Sequence, residues 1–169
     1  MDLLDVILTR RSVRRYTSKK IDQEIVNKII KAGMYAPSAV NKQPWHFIVF
    51  ENKDTKQAII DIHKNASMLS DADKAILICY DEDLQHDHGY GPVDCSAATE
   101  NMLLAAHALG LGACWVGIYP RHNRIEALHA IFGLPKNIIP FAVISLGYPA
   151  ESKEKADRFK SDRIHLEKW

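Results

Sequence analysis

Between positions 10 and 14 the chain reads Arg10-Arg11-Ser12-Val13-Arg14, which gathers guanidinium groups and a hydroxyl into one short segment. A phosphate monoester is close to dianionic at neutral pH. Planar guanidinium forks take its oxygens in pairs, and a hydroxyl or backbone N–H completes the shell. The segment therefore has the chemistry of an anion site. An exposed basic turn and a weak nucleic-acid or localisation patch are the alternatives that these residues alone leave open. A second segment runs Ala36-Pro37-Ser38-Ala39-Val40-Asn41-Lys42-Gln43-Pro44-Trp45. Pro37 fixes its own φ and disfavours a helical Ala36, so the chain leaves a helix here with Ser38, Asn41 and Gln43 as hydrogen-bonding groups. Such a loop is either a ligand rim or a helix stop whose side chains serve their own backbone. Trp45 opens an apolar run and reads as core.

The elements that must position these groups follow from periodicity. Leu3, Leu4, Val6 and Ile7 predict a first helix, and Asp22 caps a second whose apolar face carries Ile25, Ile29 and Ile30 before Gly33 and Pro37 end it. The arginine motif lies between them. Strands are expected over Trp45 to Phe50, Ala75 to Tyr80, Ala113 to Ile118 and Ile139 to Leu146. Asp54 caps a helix to about His63, a polar loop fills 81–92, and Val93 to Leu109 is the longest helix, with Gly110 at its C-cap. Asn123 to Phe132 is a further helix, stopped by Gly133. Short buried strands mixed with helices point to α/β or α+β layering, which the pattern alone does not separate.

The chain has 169 residues, 47% of them hydrophobic and 25% charged, which suits one folded domain with a sizeable core. Its formal net charge is +1, so nothing global draws it to nucleic acid or an acidic membrane, and any anion site must be local. Cys79, Cys95 and Cys114 sit in apolar stretches without C-x-x-C spacing and read as buried thiols of a reducing compartment. With no apolar run of membrane-spanning length, the expected location is the cytoplasm. Asp81, Glu82, Asp83, His86, Asp87 and His88 read as a solvated loop rather than a metal site. Gly110-Leu111-Gly112 follows a helix and precedes a strand, the reverse of the order that gives a dinucleotide fingerprint its meaning. No nucleophile elbow, P-loop or H-E-x-x-H is present.

The two opening segments, at their separation near the N-terminus, resemble the nitroreductase family, homodimeric flavin enzymes that keep FMN at the subunit interface. Gly110-Leu111-Gly112-Ala113-Cys114-Trp115-Val116-Gly117-Ile118 is similar to the family's strand beside the isoalloxazine ring. The resemblance implies an α+β fold with a mixed central sheet covered by helices. It implies one FMN-binding domain over 1–169, with 150–169 a charged tail, and dimer contacts through the long central helix. It assigns Arg10 and Ser12 to the FMN phosphate, Arg11 beside them, and Arg14 to the ribityl or pyrimidine edge, where it would stabilise reduced flavin. Pro37, Ser38, Ala39 and Asn41 would reach the cofactor from the partner subunit, with Gln43 a further cofactor-binding candidate of the same rim. Trp115 and Gly117 would lie beside the ring, Gly117 letting backbone amides approach N5 and O4. Asn65 matches a flavin-contacting Asn, and Lys155 and Arg158 match basic residues set against the phosphate. The implied activity is hydride transfer from NADH or NADPH through flavin N5 to a small electron acceptor such as a nitroaromatic or quinone, with no covalent side-chain catalyst. A flavin-binding redox sensor or storage protein is the alternative.

Overall fold

The longest apolar runs of the chain become the two central strands of one sheet. The computed structural model describes residues 2–169. Four strands, β1 (Trp45–Phe50), β2 (Lys74–Asp81), β3 (Gly112–Gly117) and β4 (Ile138–Gly147), form a sheet in the order β1-β2-β4-β3. All three strand pairings are antiparallel, and among the described residues the parallel component is a single bridge, Ser12 to Ala113. The fold is α+β, as the resemblance implied, and its sheet is mixed only through that bridge. The register of β2 against β4 shifts between Ile78 and Cys79, leaving Phe141 unpaired next to Pro140, which has no N–H to give the ladder.

Helices cover both faces, so the central strands alternate between two cores. Ile76, Ile78 and Tyr80 of β2 face α2 (Gln23–Met34) and α4 (Tyr90–Ala108), whose contributions include Val26, Ile29, Ala98 and Met102. Ala75, Leu77 and Cys79 face α3 (Lys53–Ile62) and α5 (His122–Phe132), with Ile59 and Leu128 fully buried. Helix α2 crosses α4 closely: a Cβ at Gly33 would sit 2.7 Å from Met102 Cγ. Helix α1 (Leu3–Thr9) is capped by Asp2, whose Oδ1 accepts from Asp5 N at 2.8 Å.

Three helix starts differ from the sequence reading, that of α5 only by the one residue His122. Helix α3 begins at Lys53 because Asn52, not Asp54, caps it by accepting from Thr55 N at 3.0 Å. Helix α4 begins at Tyr90 rather than Val93. Gly89, at φ 95°, turns the chain, and Pro92 falls in the first turn, where its missing N–H leaves no helical bond unmade. The polar loop is correspondingly shorter. No helix among the described residues is long and apolar enough to cross a membrane. Beyond Gly147 the chain runs irregularly over the surface to a single 3-10 turn, Ser161–Arg163.

Candidate functional site

Helix α1 ends at Arg10, where the backbone turns extended and carries the arginine motif across α4 to the edge of β3. Arg10 Nε donates to Glu100 Oε1 on α4 at 3.2 Å. Arg11 donates from its guanidinium to the Glu154 carbonyl, which fastens the tail over the motif. Arg10, Arg11, Lys155 and Arg158 thereby line one cleft of about 760 Å³, with Ile7, Leu8 and Phe159 as apolar walls. Glu100 and Asp157 are the carboxylates of that lining, so cations outnumber anions two to one. Residues 145 positions apart in sequence meet here, and a phosphate-bearing ligand with an aliphatic stem matches the lining.

Ser12 and Arg14 do not line this cleft. Ser12 pairs with Ala113, and Arg14, exposed, donates its backbone N–H to Glu151 Oε1 at 2.7 Å. Both side chains flank the Cys114 thiol, which burial pushes above the usual thiol range despite their opposing effect.

The Pro37–Gln43 loop is held from below. Asp94, buried near the start of α4, accepts the Ala39 N–H on Oδ1 at 3.0 Å, while its Oδ2 has no partner among the described residues. Ser38 Oγ accepts from Gln43 N at 2.9 Å, and Asn41 Oδ1 accepts from Gln43 Nε2 at 2.8 Å. Val40, Asn41 and Gln43 have φ of 50°, 56° and 50°, a conformation costly for a β-branched valine. This strained loop contributes nothing to the lining of the arginine cleft within the same chain.

A third assembly sits at the end of β3. The Gly117 carbonyl accepts from Arg124 Nη1 at 2.8 Å and from His63 Nε2 at 3.0 Å. Asn65 N donates to His63 Nδ1 at 3.2 Å, so the proton resides on Nε2 and the ring is neutral. Burial and the Arg124 charge both lower the His63 pKa, which keeps it so at neutral pH. Apart from the glycine and its chain neighbours, no atom of the described residues lies within 4 Å of where a Cβ on Gly117 would stand. Internal packing therefore does not demand this glycine. Trp115, half-buried, packs edge-on against Phe141 with centroids 5.6 Å apart.

The chain matches the model of the nitroreductase family over residues 7–92 and 63–148, spans that include the arginine motif, the Pro37 loop and the Gly117 strand. It belongs to the nitroreductase family. A protein of Methanothermobacter thermautotrophicus, provisionally named NADH dehydrogenase/NAD(P)H nitroreductase, is 48% identical over all of this chain and 88% of its own length. A solved structure from Parabacteroides distasonis bearing the same provisional name superposes with a TM-score of 0.95 at 36% identity, covering 99% of this chain and 98% of that one. A family structure from Desulfovibrio desulfuricans, solved with FMN, has a TM-score of 0.86 at 29% identity, covering 100% and 98%.

Within this nitroreductase chain, four residues carry site geometry that the motifs did not reveal: Glu100, Asp94, His63 and Arg124. Each is a single polar residue, and for Glu100, Asp94 and His63 the partner lies far along the sequence. His63 and Gly117 are separated by 54 positions and Asp94 and Ala39 by 55. The only local signal was the proximity of His63 to Asn65. Among the described residues no three His, Cys, Asp or Glu side chains converge as metal ligands.

Proposed function

We propose that the chain is an FMN-dependent oxidoreductase that passes a hydride from NADH or NADPH to a small acceptor such as a nitroaromatic or quinone. The observation that carries this reading is the convergence of Arg10, Arg11, Lys155 and Arg158 on one cleft of a nitroreductase-family chain. These four residues fit the FMN phosphate, and Ile7, Leu8 and Phe159 shield its stem. Relatives bear on the cofactor: a Bacillus subtilis protein 28% identical over 97% of this chain is named FMN reductase [NAD(P)H]. When bound, FMN supplies the hydride-accepting chemistry that no side chain here offers. The protein's part is to anchor the phosphate, keep Gly117 open towards the ring, and place positive charge where reduction adds electrons. Arg14 is the motif residue assigned to that last task.

The functional unit is a homodimer in this reading. The Pro37–Gln43 loop lies outside the arginine cleft of its own chain, so Pro37, Ser38, Ala39 and Asn41 would complete the site of a second copy. Purified protein should be yellow and release about one FMN per subunit on denaturation, the ratio of one site per protomer in an isologous pair. It should oxidise NADH or NADPH with quinone or nitroaromatic acceptors. Colourless protein that cannot be reconstituted with FMN would defeat the proposal, and flavin that is reduced but not reoxidised by acceptors would favour a redox sensor.

A further inference from the structure

The groove beside Gly117 is a second cationic pocket. Its volume is about 400 Å³, and it is lined by Ile62, Lys64, Asn65, Arg121, Asn123 and Arg124, with no carboxylate. Among the described residues no ion pair engages Lys64, Arg121 or Arg124. The nearby acid on α3, Asp61, instead accepts from Gln57 Nε2 at 2.7 Å. A contrasting polar cavity shows what compensation looks like in this molecule: there Lys20, Lys53 and Lys56 face Glu51, Asp71 and Asp73. With a net charge of only +1, three cations without a counter-charge in one groove are a local concentration. Arg124 is also pre-oriented. One of its N–H groups is spent on the Gly117 carbonyl, which fixes the guanidinium plane and leaves the rest of its five donors for the groove.

Position decides what anion belongs there. Ser12, beside the arginine cleft, bridges Ala113, and Gly117 lies four residues further along β3, about 13 Å of extended chain. FMN carries one phosphate, which the cleft takes. Lys64 and Arg121 are exposed, and beside Gly117, which the proposed function sets against the ring, the groove is open to a second anionic ligand. We infer that the Lys64–Arg121–Arg124 groove is a phosphate subsite for the pyridine dinucleotide donor, holding a phosphate group while the nicotinamide lies over the ring near Gly117. The inference rests on the oxidoreductase reading above. Both the bridging phosphates and a ribose 2′-phosphate offer this chemistry, and only the second would select NADPH over NADH.

The test uses the full-length flavin-loaded protein and the variants Lys64→Gln, Arg121→Gln and their combination, which leave the Arg124–Gly117 bond in place. Titration calorimetry with ADP and with 2′,5′-ADP measures binding without turnover, and steady-state kinetics measure KM for NADH and NADPH. Each lost charge-assisted bond should weaken binding about tenfold, with KM rising in parallel, kcat unchanged and FMN affinity unaltered. Loss confined to 2′,5′-ADP and NADPH assigns the groove to the 2′-phosphate. Equal loss for ADP and NADH assigns it to the bridging phosphates. Binding and KM within twofold of wild type in the double variant overturn the subsite. If the protein takes up no FMN yet binds 2′,5′-ADP in a manner lost in the variants, the groove stands and the flavin reading falls.

Discussion

Arg10 works through a shared geometry, since the Glu100 carboxylate that orients its guanidinium also offsets part of its charge. Its removal should cost FMN one charge-assisted bond of roughly 1.5–3 kcal/mol, a ten- to hundredfold loss of affinity measurable by fluorescence titration. Saturating FMN should then restore turnover, because the lost bond serves binding in both redox states. Arg14 predicts the opposite split. Lying off the cleft, Arg14→Ala should hold FMN nearly as well but lower the flavin potential. An unchanged potential would reduce Arg14 to a structural role beside Cys114. The three cysteines are buried and free, with Cys79 pushed up to about 12 by desolvation, so native protein should react with a disulfide reagent only on unfolding. Arg10 and Arg11 stood out in the sequence because a dense run concentrates its signal, and the fold brings them to one cleft with Lys155 and Arg158 while leaving Ser12 and Arg14 outside its lining. His63 and Asp94 did not stand out, since their meaning depends on Gly117 and Ala39 being brought to them by the fold.

Elements were readable where period and punctuation agreed. The strands fell within a residue or two of expectation because β2 and β4, buried on both faces, leave continuous apolar runs. Helix α4 starts three residues before the expected Val93, because Gly89 rather than the end of the polar run turns the chain into it. The α2–α4 contact was invisible in sequence for another reason: it depends on the absent side chain of Gly33 against Met102. Gly33→Val should destabilise by about 1–3 kcal/mol in urea unfolding, and Met102→Ala, which opens space, should make the pair less than additive. His63 links the end of α3 to β3 and gives the elements a pH dependence. Its folded pKa is lowered, as is that of His107, so below the unfolded value of about 6.5 the unfolded chain binds more protons and stability falls with acidification. Melting temperature should therefore drop between pH 7 and pH 5. His63→Gln should lessen that drop, and an equal drop in the variant would remove His63 from the account.

At the scale of the whole molecule, the surface is consistent with a chain made to be paired. Leu3 and Leu4 of α1 are 72% and 68% exposed, Val93 opens the free side of α4 at 62%, and the tail ends on a wholly exposed Trp169. Apolar side chains this open, on the same element that leads into the arginine cleft, support the paired reading proposed above. The proposed division of the site between the cleft and the Pro37–Gln43 loop makes the dimer testable by mixing. An Arg10→Ala variant would spoil the cleft contribution, and an Asp94→Ala variant, by freeing the Ala39 N–H, would spoil the loop contribution. If each site takes its cleft from one subunit and its loop from the other, a heterodimer of the two variants holds one doubly damaged site and one intact site. Unfolding and refolding an equal mixture should then recover about a quarter of wild-type activity at limiting FMN, half the dimers being mixed and each having one good site of two. Sites built within single chains would give no recovery above the separate variants. Recovery without any dimer by light scattering would equally exclude the shared site, because intact cleft and intact loop would then never meet in one particle.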